Sequence, residues 1–371
     1  MKVNILTMHR VENYGSFLQS YGLKKLLSEK KAEVSFLDIE QGEQLPDSLL
    51  KSTLHEYSSN KKLDKYIFNN VISKIKEPLL TKMYKEYWKK YLGFDESYQT
   101  TPTADNVIIG SDEVFNCLQK SPWGYSNQIF GNIPVSNVAT YAASCGFTNY
   151  ADLSDELRRD INIGLEKLSS ISVRDNNTLE FVKSFGFESE QITQSLDPVL
   201  IANFDEEINL PENQINYKKD YLVVYAYKNR IHKKEEIEKI KSLARKYNLK
   251  IIALGGYQKW ADDFWILNPF QLLNAFKNSK FIITDTFHGS IFSIKYNLKY
   301  ATILRDSNKN KLIDLFKRLS QEEHLVSDLQ DLETIFLNDL DFSKTNSIID
   351  RSQKESDEYL SRFLNREFFN E

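Results

Sequence analysis

With 371 residues, 41% of them hydrophobic and 27% charged, the chain is too long for one ordinary core and too apolar to be disordered. A net charge of −4 and a pI near 5.9 exclude the global basic field that collects nucleic acid, so an anionic substrate has to be met by local cations. Two cysteines in separate segments, Cys117 and Cys145, imply neither a disulfide framework nor a structural zinc site, and no metal is expected.

The first apolar run, Val3-Asn4-Ile5-Leu6, meets polar Thr7 at once and is far too short for the apolar core of a signal peptide. No window approaches the roughly 20 apolar residues of a membrane span. The expectation is a cytoplasmic protein, with peripheral contact at the inner face of the cell membrane left open.

Short branched-apolar runs alternate with longer amphipathic stretches, the pattern of βαβ units around a parallel sheet. In the first half this predicts strands over 3–7, 33–39, 106–110, 137–142, 170–174 and 191–195, with helices over 16–28 and 155–168. Phe17, Tyr21, Leu23 and Leu27 recur near helical spacing in the first of these helices. Residues 45–98, rich in Lys, Tyr and Asn, offer no strand and read as a helical insertion, clearest over 82–91. An acceptor-binding lid is the functional alternative.

The polar stretch 203–220, carrying Pro211, reads as a linker. The rhythm then restarts with strands over 221–227, 250–254, 280–284 and 300–304, and helices over 233–247, 269–278, from about 289, and over 309–319. A last amphipathic segment covers 352–369. The expected fold is α/β, with two Rossmann-like domains facing a cleft in a GT-B-like arrangement. Residues 1–202 form the first domain, on the acceptor side, with the helical insertion at 45–98. Residues 221–345 form the second, on the donor side, and 346–371 a C-terminal helix able to cross back to the first. Ligands of open α/β sheets bind at the carboxyl ends of the strands.

Four strand exits carry the chemistry. His9-Arg10-Val11-Glu12-Asn13-Tyr14-Gly15-Ser16 joins a strand to a helix. Gly15 permits close backbone approach there, and Asn13 or Ser16 can cap the helix or bind a ligand beside its free N–H groups. The stretch is neither a G-x-G-x-x-G fingerprint nor a Walker loop, and an ordinary capped turn is the competing reading. In Gly110-Ser111-Asp112-Glu113, Asp112 can act as a base on a sugar hydroxyl or orient it, and equally can cap the next helix.

Arg174 follows Ile171-Ser172-Val173, and its planar fork suits a carboxylate or phosphate; an internal ion pair with Asp175 or Asp197 is the alternative. In Thr284-Asp285-Thr286-Phe287-His288-Gly289-Ser290, a strand delivers an acid and then a histidine into a helix start. His288 can serve as general acid or as a cationic clamp, and Asp285 could orient it. Lys228, Arg230, Arg305 and Lys311 are the cations near these exits, and Gly255-Gly256-Tyr257 reads as a tight turn, with backbone contact to a ligand as the alternative. His55, His232 and His324 lie on polar stretches and are expected at the surface.

Taken in order, these motifs resemble the polysaccharide pyruvyl transferase family, whose members share a GT-B-like architecture. The matching pieces begin with Asn13-Tyr14-Gly15-Ser16-Phe17-Leu18-Gln19, Gly110-Ser111-Asp112-Glu113-Val114-Phe115-Asn116 and Tyr141-Ala142-Ala143-Ser144-Cys145-Gly146. They continue with Ile171-Ser172-Val173-Arg174-Asp175, Leu196-Asp197-Pro198-Val199-Leu200 and the His288 motif. The resemblance implies transfer of pyruvate from phosphoenolpyruvate to two hydroxyls of a sugar as a ketal, with release of phosphate. Phosphoenolpyruvate is the co-substrate and no other cofactor is implied.

The setting implied is bacterial capsule, exopolysaccharide or cell-wall glycan synthesis, with a sugar or lipid-linked oligosaccharide as acceptor. If the acceptor is lipid-linked, the Lys/Tyr-rich stretch 45–98 is the candidate membrane-facing surface. The resemblance makes His288, Asp112 and Asp285 the candidate catalytic residues. Arg174, Arg305, Lys311, Arg230, Ser290 and Gly289 fall around the donor, and Asn13, Tyr14, Gly15, Ser16 and Ser111 shape the acceptor side. In part of the family an arginine stands two residues before the motif histidine, where this chain has Thr286. Either Arg305, Lys311 or Arg230 supplies that charge, or the donor differs. A GT-B glycosyltransferase using a nucleotide sugar and a non-catalytic sugar-binding subunit are the alternative functions.

Overall fold

The computed structural model describes residues 1–46, 69–228, 230–306, 308–327 and 329–369. Within them the continuous apolar runs form two parallel six-stranded sheets. The first contains β1 (Lys2–Leu6), β2 (Glu33–Leu37), β3 (Asn106–Asp112), β4 (Asn137–Ala143), β5 (Ile171–Val173) and β6 (Ile192–Gln194), in the order β2-β1-β3-β4-β5-β6. The second contains β7 (Tyr221–Ala226), β8 (Lys250–Gly255), β9 (Asp263–Phe264), β10 (Phe281–Thr284), β11 (Tyr300–Ile303) and β12 (Leu325–Val326). Its order, β9-β8-β7-β10-β11-β12, is that of a dinucleotide-type doubly wound sheet. Strands β4, β7 and β10 are buried along their whole length, as parallel strands covered on both faces should be.

The covering helices are α1 (Tyr14–Glu29), α2 (Asn69–Tyr87), α3 (Asp155–Leu165), α4 (Asn176–Lys183), α5 (Pro198–Ile201) and α6 (Asp205–Ile208). They continue with α7 (Lys234–Lys246), α8 (Pro269–Lys277), α9 (Phe287–Lys295), α10 (Lys309–Leu319), α11 (Leu332–Leu337) and α12 (Ser343–Asn365). One apolar cluster runs through both sheets, so the halves are joined by core and not only by a linker. Phe17 and Tyr21 of α1 pack edge-on against Phe270 of α8 at ring distances of 6.0 and 5.7 Å. Helix α12 returns to the first sheet. Tyr359 Oη donates to the Thr140 carbonyl at 2.8 Å, Tyr141 Oη donates to Ser356 Oγ, and Asn137 Nδ2 donates to the Phe363 carbonyl.

Some elements differ from the sequence reading. The stretch 203–220 contains α6 and a 3-10 turn at Pro211–Asn213, and buried Asn213 accepts a hydrogen bond from Asn268 of the second half. It is therefore packed structure rather than a bare linker. Helix α12 begins at Ser343, before the expected 352, because its first turns are polar and show little apolar periodicity. Helix α9 begins at Phe287, since Thr286 caps it by accepting the Gly289 N–H at 3.0 Å. The expected insertion contributes α2 and a π-helical turn at Trp88–Leu92, while 47–68 lies outside the described residues. Among the described residues no helix is long and apolar enough to cross a membrane.

Candidate active site

Strand order reverses between β1 and β3 in the first sheet, and between β7 and β10 in the second. Crevices of open α/β sheets form at such points, outside the carboxyl ends of the strands. The exits of these four strands border one cleft of about 600 Å³. The first half contributes Asn13, Tyr14, Ser16, Asp112 and Glu113 to its lining. The second contributes Arg230, Phe287, His288, Asn308 and Lys311, and α2 adds Leu80, Thr81 and Tyr84.

The β1 exit is rigid. His9 is buried with Nε2 3.0 Å from Asp38 Oδ1 and Nδ1 3.0 Å from the Thr7 carbonyl. Arg10 also pairs with Asp38. Burial opposes the Asp38 charge, but hydrogen bonds from His9, Arg10 and the Gln99 N–H outweigh it and hold the carboxyl well below the usual range. Beyond this anchor Asn13 caps α1, its Oδ1 accepting the Ser16 N–H at 2.7 Å. Ser16 Oγ in turn donates to Asp112 Oδ2 at 3.3 Å. The capped-turn reading of this stretch therefore holds, and Asn13, Tyr14 and Ser16 also line the cleft.

His288 stands on the first turn of α9 and reaches the first half. A Cβ on Gly15 would lie 2.2 Å from His288 Nδ1, so only glycine allows the ring its place. His288 Nε2 lies 3.7 Å from Asp197 Oδ2. Asp197 also caps α5 through the Val199 N–H and takes Arg174 Nη1 at 3.0 Å. Burial would raise its pKa, but His288 and Arg174 prevail and the carboxyl sits below its ordinary value.

Asp285, expected to orient His288, is instead engaged by Arg230 at 3.2 Å and Arg305 at 3.5 Å. It is fully buried, and burial raises its pKa despite both arginines. The side chain that approaches His288 comes from the other sheet. Arg174, expected to grip an anion, is only 3% exposed and does not line the cleft. Its Nη1 is shared by Asp197 and, at 3.4 Å, Asp112, and its guanidinium lies 4.4 Å from the Phe287 ring centre. Arg174 thus ties the cleft aspartate to the aspartate beside His288, which realises the internal ion-pair alternative.

Of the other expected cations, Arg305 forms a two-pronged pair with Glu236 at 2.7 and 3.0 Å and stays outside the lining, and Lys228 does not line the cleft either. Arg230 and Lys311 do line it. Lys311 bridges to Glu113 across the two halves. Burial works against the Glu113 charge, yet Lys311 and Arg174 hold its pKa at about 2. Ser290 is buried and bonded to the Thr286 carbonyl and Thr302, Gly289 donates to the Thr286 cap, and Ser111 donates to Gln19. These three hold the frame of the cleft without lining it.

Thr286, at the position where part of the family carries an arginine, is the α9 cap and also lines the cleft. His324 is not at the surface: it is 1% exposed, stacked on Tyr300 at 4.1 Å, with Nδ1 donating to the Tyr300 carbonyl. His232 is exposed and His55 lies outside the described residues. Sequence reasoning missed Glu113, Asn308, Tyr225 and the α2 side chains as lining. Glu113 was readable in the Gly110 motif, and Leu80 with Tyr84 shows helical spacing. Nothing in the sequence says which face of α2 meets the cleft. Among the described residues no group of three or more His, Cys, Asp or Glu is arranged to hold a metal ion.

Two doubly wound sheets meeting at their switch points over a cleft define a GT-B-like α/β protein. A model of the polysaccharide pyruvyl transferases matches residues 13–303, and the chain belongs to that family of transferases. No curated protein matches the chain.

Among solved structures, UDP-GlcNAc 2-epimerase from Neisseria meningitidis, bound to UDP-GlcNAc, is 11% identical with a TM-score of 0.50. The match covers 97% of this chain and 100% of the epimerase. The enzyme of the same name from Methanocaldococcus jannaschii is 12% identical at a TM-score of 0.48, covering 94% of this chain and 98% of that one. Spinosyn rhamnosyltransferase, complexed with thymidine diphosphate, is 9% identical at 0.44, with 96% of each chain covered. At such identity the epimerase match speaks to fold alone.

Proposed function

We propose that the chain transfers pyruvate from phosphoenolpyruvate to a pair of hydroxyls on a glycan sugar, forming a cyclic ketal and releasing phosphate. The observation that supports this reading is the convergence on one cleft of the N-termini of α1, α9 and α10 with Lys311, Arg230 and His288. Helix N-termini carry unpaired N–H groups and a partial positive charge, so they suit a donor bearing both phosphate and carboxylate. Lys311 and Arg230 add full charges at the same rim.

In this reading His288 donates a proton to the methylene carbon of phosphoenolpyruvate, and positive charge develops at C2. A sugar hydroxyl adds to C2, its proton passing toward Asp112. The C2–O bond to phosphate then breaks, and the second hydroxyl closes the ketal. One hydroxyl proton ends in the new methyl group and the other leaves with phosphate, so the reaction balances without a redox partner. Asp197, whose Oδ2 lies 3.7 Å from His288 Nε2, orients the ring in this role. The acceptor is assigned to bacterial capsule, exopolysaccharide or cell-wall glycan.

A thermal-shift comparison tests the donor. Phosphoenolpyruvate at saturation is expected to raise the melting midpoint, with a smaller response in Lys311→Met. Stabilisation by UDP or thymidine diphosphate with none by phosphoenolpyruvate overturns the reading in favour of a nucleotide-sugar transferase.

A further inference from the structure

A second cavity of about 370 Å³ opens beside the cleft, within the usual range of roughly 300–1,000 Å³ for small-molecule sites. The two share a wall: Met8, Val11, Glu12, Glu113 and Gln119 line both. We propose that this cavity is an acceptor subsite holding the uncharged hexopyranose unit linked to the sugar that receives pyruvate. The proposal rests on the pyruvyl transfer reading and extends it, making the preferred acceptor at least a disaccharide.

The lining carries the argument. Its floor is apolar, formed by buried Ile39, Val114 and Ile129. Its wall bears the aromatic rings of Tyr98, Trp123 and Tyr125. Tyr98 is 66% exposed, yet it is no loose surface side chain. Its ring lies 4.4 Å from the Arg10 guanidinium, which is fixed by buried Asp38 and by the carbonyls of Asp95 and Ser97. The cluster that makes the β1 exit rigid thus also holds an exposed aromatic face toward the cavity, so little ordering remains to be done on binding.

A pyranose has the complementary surface, an apolar face of C–H groups and an edge of hydroxyls. The rings and floor suit the first; Gln41, Gln119 and Lys120 supply donors and acceptors for the second. Phosphoenolpyruvate fits poorly here. Among the described lining residues Glu12, Asp38 and Glu113 outnumber Arg10 and Lys120.

The test uses the full chain without phosphoenolpyruvate, so that binding is read apart from catalysis. Saturation-transfer NMR and calorimetry compare the methyl glycosides of glucose, galactose and mannose with those of their β-1,4-linked disaccharides. At least one disaccharide is expected to bind about tenfold more tightly than either of its units. Trp123→Ala should remove that advantage, and so should Tyr98→Ala, whose exposed position spares the core. Wild-type melting midpoints would show both variants folded. The inference is overturned if no disaccharide has the advantage, or if folded variants keep it. Failure of the pyruvyl reading is seen separately, as absence of phosphate release from phosphoenolpyruvate whatever the saccharides do.

Discussion

Gly15 and His288 lie on helices of different halves and touch: a Cβ on Gly15 would stand 2.2 Å from the His288 ring nitrogen Nδ1. The helix starting at Tyr14 and the helix starting at Phe287 therefore meet through a glycine and an imidazole. Gly15→Ala should displace the ring while leaving the fold in place. A misplacement of about 1 Å at reacting groups costs roughly 100-fold, so kcat/KM is expected to fall by about that factor. Steady-state phosphate release, with circular dichroism as the fold control, checks it; an active Gly15→Ala enzyme would show that the contact is incidental.

Asp197 should matter to stability as well as to His288. It is the nearer carboxylate to buried Arg174, at 3.0 Å against 3.4 Å for Asp112, and it is itself fully buried. Removing one partner of a buried pair leaves the other charge uncompensated, at about 3–5 kcal/mol. Asp197→Asn is therefore expected to lower the urea midpoint strongly, and Asp112→Asn much less, because Asp112 keeps contact with solvent in the cleft. Equal losses would contradict this ranking.

Lys311 links α10 to Glu113 of the first half and lines the cleft. Lys311→Met should raise the KM for phosphoenolpyruvate by about tenfold or more with a smaller change in kcat, the pattern of lost ground-state binding. The same variant leaves Glu113 without its main counter-charge. Glu113 titrates at about 2 in the folded chain against 4.5 ordinarily, so its contribution to stability is present above pH 4.5 and is lost as pH falls toward 2. Urea midpoints taken across that window should fall less steeply in Lys311→Met than in wild type.

His324 gives a separate pH effect at higher pH. Burial lowers its pKa below 6.5, outweighing the hydrogen bond to the Tyr300 carbonyl. Below pH 6.5 the unfolded chain therefore takes up a proton that the folded chain resists, and stability falls as pH falls. His324→Phe keeps a ring against Tyr300 and Phe342 but cannot titrate. Its stability curve should be flatter than wild type just below pH 6.5. An unchanged slope would mean that His324 contributes nothing to it.

Much of this architecture was legible because parallel strands buried on both faces must be continuous apolar runs. Strands such as Asn106–Asp112 and Phe281–Thr284 announce themselves, and the residues following them, Asp112 onward and Asp285 to His288, fall at the switch points as a consequence. The two-residue strands Asp263–Phe264 and Leu325–Val326 are too short to carry a period. Side-chain destinations were harder to read. Whether Arg174 meets a ligand or Asp197 depends on Phe287, which arrives over it from the second sheet. His324 sits in a polar stretch and is buried only because Tyr300 and Phe342 stack on it. Residues close in sequence to His288 suggested Asp285 as its partner; packing between the halves supplied Asp197.

The most direct test of pyruvyl transfer at His288 is NMR on the full chain with phosphoenolpyruvate labelled with carbon-13 at C2 and a disaccharide acceptor. Wild type is expected to convert the labelled enol carbon into a ketal carbon while phosphorus-31 spectra show stoichiometric inorganic phosphate. His288→Ala should slow both together by about 100- to 10,000-fold, the range of general acid catalysis. Full turnover by His288→Ala, or phosphate appearing without a ketal carbon, would contradict the account.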